Sequence, residues 1–181
     1  MKVLRAVSLT TLGIVTATMT ACSSSHSGHD NGIGATCAGS FDMLSTDEPL
    51  GARDALDRAV SEAIGRPEKV SVADLTRAAG WSATWDRVVV AKSGITRERM
   101  NQASGLQDYC WPNLPTAVDS DGPARVFYVF LDGDRPLQSI RTDTSKEYFH
   151  RYGSGDVLRP ATRLEPVPPR SPGSAGYFQP A

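Results

Sequence analysis

The stretch RVFYVFLDG, residues 125–133, decides the fold of this chain. Its β-branched and aromatic residues are typical of a β-strand. Both alternating faces are apolar, which predicts a central strand that is covered on both sides. The Asp-Gly pair at its end is a strong hairpin signal. We therefore expect a return strand from about Pro136 to Thr142, with Leu137 and Ile140 on opposite faces of the sheet.

Upstream of this hairpin, a first helix is predicted to begin at the sequence Ser45-Thr-Asp-Glu48. This is the pattern of a capping box, and Pro49 suits the first turn. An apolar stripe at helical spacing follows, and Gly65 and Pro67 end the helix. The stripe consists of Leu56, Val60, Ala63 and Ile64.

A second helix is predicted after Thr96, which suits an N-cap, with Ile95 packed against Met100 and Gly105 at the end. Residues 74–79 are ambiguous and suit a short helix ended by a glycine. Residues 85–90 have the β-branched run of a strand. Beyond the hairpin we expect a helical turn over 146–152 and an edge strand over 157–164. Together these elements predict an α+β fold, a two-layer sandwich of a small, largely antiparallel sheet with two or three helices.

The amino end has the features of a secretory signal. A short basic start at residues 1–5 precedes fourteen uncharged residues, 6–19, which are too few to span a bilayer. The sequence Met19-Thr-Ala-Cys22 follows, and it resembles the lipobox of bacterial lipoproteins. The resemblance implies that residues 1–21 are a signal peptide and that Cys22 carries diacylglycerol, which anchors the protein to the extracytoplasmic face of the cell membrane. The alternative is a simple secretory signal with a chance cysteine.

Composition agrees with a bacterial source and with one small domain. Arg outnumbers Lys by 15 to 4, which suits the GC-rich genome of an actinobacterium. The cluster Trp85-Asp86-Arg87, which leads into a predicted strand and a Thr-capped helix, vaguely resembles small domains of actinobacterial lipoproteins over about 60 residues. The length of 181 residues, of which 40% are hydrophobic and 22% charged, excludes a multi-domain machine and a polytopic membrane protein. The formal charge of the chain is −1. A nucleic-acid binder would need an excess of basic residues, so no nucleic acid is expected as a partner.

The segments that precede and follow the domain are predicted to be unfolded. Residues 22–36 are rich in Ser, Gly and His and read as a flexible tether. A metal site at His26, His29 and Asp30 is the alternative. Residues 165–181 contain five prolines and predict an extended, disordered tail, with a docking ligand as the alternative. The single domain is therefore expected to span residues 37–164.

Cys37 and Cys110 are the remaining cysteines. An exported protein meets an oxidising environment, where such a pair predicts a disulfide; the alternative is a reactive thiol.

Three further groups of residues suggest chemistry, and each has a structural alternative. Ser154, His150 and Asp156 are the members of a hypothetical hydrolase triad, although His150 is more simply a structural or surface residue. Four aspartates supply oxygen ligands for Ca²⁺, but one pair suits a hairpin turn. Four aromatic residues form either a stacking surface or part of the core. The aspartates are Asp119, Asp121, Asp132 and Asp134, and the aromatic residues are Trp81, Trp85, Tyr109 and Trp111.

No phosphate loop, dinucleotide fingerprint or metalloprotease motif occurs in the sequence. We therefore expect neither a cofactor nor a catalytic metal. The protein is predicted to be a non-enzymatic binding module of the cell envelope that binds a protein or a cell-wall component. The alternatives are a small envelope hydrolase with a site built from loops, and an inhibitor-like or immunity-like lipoprotein.

Overall fold

Nine strands and three helices make up the residues that the structure, a computed structural model, describes: 36–117 and 124–181. In chain order they are β1 (Gly39–Ser40), α1 (Arg53–Ile64), β2 (Val70–Ser71), α2 (Val72–Ala78), β3 (Arg87–Lys92), α3 (Arg97–Ser104), β4 (Tyr109–Cys110), β5 (Arg125–Asp132), β6 (Arg135–Asp143), a 3-10 turn (Thr144–Lys146), β7 (Val157–Leu158), β8 (Arg163–Val167) and β9 (Tyr177–Pro180). The predicted α+β class, with a small and largely antiparallel sheet, is confirmed.

The predicted hairpin forms the centre of the fold. β5 pairs with β6 and with β3 in an antiparallel sheet of order β6-β5-β3-β7. Every residue of β5 from Val126 to Leu131 is buried, because the sheet is covered on both faces. The expected central strand is therefore confirmed.

Leu137 does not lie on the face that simple alternation predicts. The register shifts between Phe130 and Leu131, so that Phe130 pairs with Gln138 but Leu131 pairs with Pro136. This β-bulge leaves Leu137 as the extra residue of β6, and an extra residue disrupts the alternation of side chains. Leu137 consequently packs against the same apolar cluster as Ile140.

Two apolar clusters cover the two faces of the four-stranded sheet. The larger one joins the sheet to α1, α2, β8 and β9 through residues such as Leu56, Leu75 and Phe178. The smaller one lies on the opposite face, where Met100 of α3 and Met43 pack against alternate residues of β3 and β5. Two clusters are needed because both faces of β5 are apolar.

The predicted start of α1 is wrong, although its apolar stripe and its end are right. The helix begins at Arg53 rather than near Ser45, and its N-cap, Ala52, makes no side-chain hydrogen bond. Gly51 has a φ of +146°, and Trp81 packs so closely that an added Cβ would lie 2.5 Å from its Cδ1. A helix cannot continue through this backbone conformation. Glu48 instead accepts a hydrogen bond from the backbone N–H of Arg53 at 2.9 Å.

The other two helices are capped by their own side chains. The hydroxyl of Thr96 accepts a hydrogen bond from the N–H of Arg99, and Gly105 ends α3 in the left-handed conformation, as predicted. The short helix expected over 74–79 is α2, which runs from Val72 to Ala78 with Ala79 as its C-cap. Its capping box is formed by Ser71 and Asp74.

The last third of the chain departs furthest from expectation. The expected strand over 157–164 is two strands in two different sheets, β7 beside β3 and β8 between β2 and β9. The expected helical turn over 146–152 is wrong beyond Lys146, where the 3-10 turn ends. Residues 147–152 are irregular apart from a bridge between Phe149 and Phe178. The prediction of a disordered tail over 165–181 is also wrong. It contains most of β8 and all of β9, and Phe178 is fully buried.

The predicted signal peptide, Cys22, the His26, His29 and Asp30 group and all but the last residue of the tether lie outside the described residues. Within the described part of the chain, no helix is long and apolar enough to cross a membrane.

Candidate functional site: a cationic cleft

One open cleft of about 1030 Å³ lies between α1, the open end of the β5–β6 hairpin and the chain segment that leads into β9. Its lining includes four basic side chains, two carboxylates and an apolar floor. The basic residues are Arg53, Arg125, Arg141 and Lys146; the carboxylates are Asp57 and Asp143; the floor is formed by Val60, Ile64 and Tyr148.

Helix α1 supplies one wall through residues four apart. Arg53, Asp57 and Ser61 lie on one side of the helix because a spacing of four brings side chains to the same face. Val60 and Ile64 lie beside this row and are buried against the sheet. The same helix therefore provides the apolar floor of the cleft and one of its polar walls.

The hairpin end supplies the opposite wall. Antiparallel pairing places Arg125 of β5 opposite Asp143 of β6. Arg141 lies two residues before Asp143 on β6. Asp143 is hydrogen-bonded within its own turn. Its Oδ1 accepts hydrogen bonds from the N–H groups of Ser145 and Lys146 and from the Ser145 hydroxyl. The Ser145 hydroxyl is the main cause of the lowered pKa of Asp143. These contacts fix the 3-10 turn that carries Lys146 into the cleft.

Tyr148 is held in the floor by the central strand. The Tyr128 hydroxyl accepts hydrogen bonds from the N–H groups of Tyr148 and Phe149, at 3.0 and 3.3 Å. The rings of Tyr128 and Tyr148 are stacked, with centroids 5.3 Å apart. Burial raises the pKa of Tyr128 far above its ordinary value, so its hydroxyl remains neutral.

The third wall comes from the segment that was predicted to be disordered. Pro169, Ser174, Ala175 and Gly176 line the cleft. Gly176 is packed so closely on α1 that an added Cβ would lie 2.4 Å from Cγ2 of Ile64. Only a residue without a side chain lets the segment approach the helix this closely.

Asp57 is the carboxylate of the cleft whose pKa is raised. Burial is the main cause of its raised pKa, while Arg53 and Lys146 act in the opposite direction. Its Oδ1 is buried and has no hydrogen-bond partner among the described residues. A carboxylate in this environment loses hydration and depends on the neighbouring cations for its charged form.

The hypothetical triad is not assembled. The Ser154 hydroxyl accepts from the N–H of Lys92 at 3.0 Å and donates to the carbonyl of the same residue. Asp156 accepts from the N–H of Gly153 at 2.7 Å. Nδ1 of His150 lies 3.6 Å from a carboxylate oxygen of Glu147. Ser154 and Asp156 thus serve the loop that packs on β3. His150 is exposed beside Glu147, which agrees with its alternative interpretation as a structural or surface residue.

The other sequence candidates are structural where they can be placed. Trp81, Trp85 and Trp111 are buried, so the core interpretation is confirmed for them, and Tyr109 is partly buried beside Trp111. Asp132 and Asp134 belong to the β5–β6 hairpin, whereas Asp119 and Asp121 lie outside the described residues. No group of three or more potential metal ligands occurs in residues 36–117 or 124–181.

Cys37 and Cys110 form the predicted disulfide, with their Cα atoms 5.6 Å apart. The parallel pair of β1 and β4 brings them together, since Gly39 pairs with Tyr109 and Ser40 with Cys110. The disulfide lies outside the set of residues that line the cleft.

Sequence reasoning missed the cleft because none of its residues forms a motif. Two signals point to parts of it. The four-residue spacing of Arg53, Asp57 and Ser61 marks one polar helix face. The Asp-Gly turn fixes a hairpin register that brings Arg125 and Arg141 to the same end. Comparison with family models, with curated proteins and with solved structures finds nothing that matches this chain.

Proposed function

We propose that this protein is a lipoprotein, anchored through Cys22 to the extracytoplasmic face of the cell membrane, whose domain binds an envelope component in the cationic cleft. The cleft itself is the observation that supports binding. Three separate parts of the chain build it, and a concave site with a few convergent polar groups over an apolar floor is the usual construction of a ligand site.

Binding, rather than conversion, fits the way these side chains are used. Asp143 caps the turn that presents Lys146, and the Tyr128 hydroxyl is occupied by two backbone N–H groups. These contacts fix the walls and floor of the cleft. A site whose backbone and turns are already ordered loses less of its own conformational entropy when a ligand binds.

Site-specific crosslinking tests the cleft as the binding site. We expect a photo-crosslinking residue in place of Ser61, in the full chain in cells, to form a covalent adduct with an envelope component, because Ser61 is exposed on the cleft wall. The matched control is the same substitution at Gln102, an exposed position on α3 that lies outside the cleft. Adducts of equal yield at both positions, or none at Ser61, would contradict the proposal, and turnover of the captured compound would favour a hydrolase.

A separate experiment tests the anchor. Cys22→Ser removes the thiol to which diacylglycerol would be joined, so we expect the variant either to remain unprocessed or to leave the membrane fraction. One acyl chain binds membranes only marginally, whereas two give stable anchoring. Mass spectrometry of the mature amino end and membrane fractionation give the readout. Unchanged processing and unchanged membrane association of the variant would show that Cys22 is not the anchor.

A further inference from the structure

We propose that the ligand of the cationic cleft is an amphipathic oxyanion: a carboxylate or phosphate group carried on an apolar body. This inference rests on the proposed binding function and adds the chemical class of the ligand. It follows from three observations. The walls of the cleft are basic, its two carboxylates are hydrogen-bonded or partly buried, and the cleft is large with an apolar floor.

The walls of the cleft are basic although the whole chain is slightly acidic. Four cationic side chains face two carboxylates there, while the formal charge of the chain is −1. Arg141 and Lys146 are both exposed. Arg141 makes no side-chain ion pair within the described part of the chain. A guanidinium presents a planar fork of donors that matches the oxygens of a carboxylate or phosphate.

The two carboxylates do not cancel this positive charge. Asp143 is engaged by the 3-10 turn through three hydrogen bonds. Asp57 is partly buried, and one of its oxygens is sealed from solvent. Burial opposes the charged form of Asp57, whereas the side chains of Arg141 and Lys146 are exposed. An incoming anion therefore meets exposed positive groups before it meets either carboxylate.

The cleft has room for a ligand much larger than an inorganic anion. Its volume of about 1030 Å³ lies just above the roughly 300–1,000 Å³ that is typical of sites for small organic ligands. Val60, Ile64 and Tyr148 form an apolar floor between the charged walls. Most of each of these side chains is buried, and a ligand whose apolar part covers the exposed remainder displaces water from it, which phosphate alone cannot do.

Binding of defined probes to the full chain tests this class. We expect dodecyl phosphate and dodecanoate, below their micelle concentrations, to bind at least tenfold more tightly than dodecyl maltoside, which has the same alkyl chain without charge, and than inorganic phosphate. Equal affinity for the maltoside would overturn the oxyanion, and equal affinity for inorganic phosphate would overturn the apolar body. Sedimentation of the Cys22→Ser chain, which lacks the proposed anchor, with phosphatidylglycerol or phosphatidylcholine vesicles then distinguishes the two sources of the anion. Cosedimentation with phosphatidylglycerol alone indicates a lipid headgroup, and no cosedimentation with either indicates a free amphiphile.

Charge reversal places the binding in the cleft. Arg141→Glu and Lys146→Glu are each expected to weaken binding of dodecyl phosphate about tenfold, because each removes a charge-assisted contact and adds repulsion. Arg159→Glu is the matched control, since Arg159 is exposed and lies outside the cleft, and it should leave the affinity unchanged. Equal effects of all three variants, or none, would overturn the proposal.

The two proposals fail in different ways. If the crosslinker at position 61 captures an envelope component that dodecyl phosphate does not displace, the cleft is a binding site but the oxyanion is wrong. If position 61 forms no adduct and no probe binds, both proposals are wrong.

Discussion

Replacement of Phe178 by alanine is expected to lower the free energy of unfolding by about 3–5 kcal/mol, the usual cost of removing a buried phenylalanine side chain. Phe178 is fully buried in the larger apolar cluster, although only three residues follow it in the printed sequence. Its N–H donates to the carbonyl of Tyr148 at 2.7 Å, and its strand pairs with β8. Denaturant unfolding of the full chain, followed by tryptophan fluorescence, measures the loss.

Arg170→Ala is the control for this prediction. Arg170 belongs to the same carboxyl-terminal segment but is exposed, so its replacement should change stability by less than about 0.5 kcal/mol. A disordered segment would make both substitutions neutral. If Phe178→Ala unfolds at the same denaturant concentration as Arg170→Ala, the carboxyl-terminal strand does not belong to the core.

The prolines explain why sequence reasoning failed for this segment. Proline removes a backbone donor, and five of them argued against any strand. In the structure, β2 pairs only with Arg163 and Leu164, so Pro166 has a neighbouring strand on one side only. Pro180 lies at the end of β9, an outer strand of the three-stranded sheet. Both prolines therefore occupy positions where a sheet tolerates a missing donor.

Elements with strong local signals were predictable. The hairpin follows from its turn residues and from the apolar run of β5, and α3 follows from Thr96, Gly105 and the Ile95–Met100 pair, both of which are buried in one cluster. The start of α1 was not predictable from the sequence, because tertiary contacts determine the backbone conformation of Gly51, which precedes the helix. Trp81 packs on that glycine, and the Gln138 side chain bonds the N–H of Leu50 and the carbonyl of Gly51.

The cleft depends on such tertiary contacts throughout. Arg53 and Arg141 are almost ninety positions apart in the printed sequence, and no periodic pattern connects a helix face to the end of a hairpin. The third wall comes from residues 169–176, whose approach to α1 depends on the absence of a side chain at Gly176. Charge counts over the whole chain also conceal the site, since its local excess of basic residues disappears in a formal charge of −1.

Removal of the disulfide is the second change with a large expected effect. The Cys37→Ala/Cys110→Ala double variant should lose about 4 kcal/mol of stability, because the two residues are 73 positions apart and the cross-link removes much of the conformational freedom of the unfolded chain. The sheet that joins them is only two residues long on each strand. Such a short ladder needs the covalent link to hold the amino end of the domain in place.

The stabilities of the oxidised and reduced wild-type chain test the contribution of the disulfide more sharply than the double variant alone. Addition of a reductant that opens the disulfide should lower the unfolding midpoint of the wild type to about that of the double variant, and should leave the variant unchanged.

Because β1 and β4 flank Trp111 in the smaller cluster, the loss of stability should appear first on that face of the sheet, where α3 packs. Hydrogen exchange would then increase in α3 before it increases in α1. A loss below about 1 kcal/mol would show that packing of Phe41 and Tyr109 against Trp111 holds this end without the cross-link.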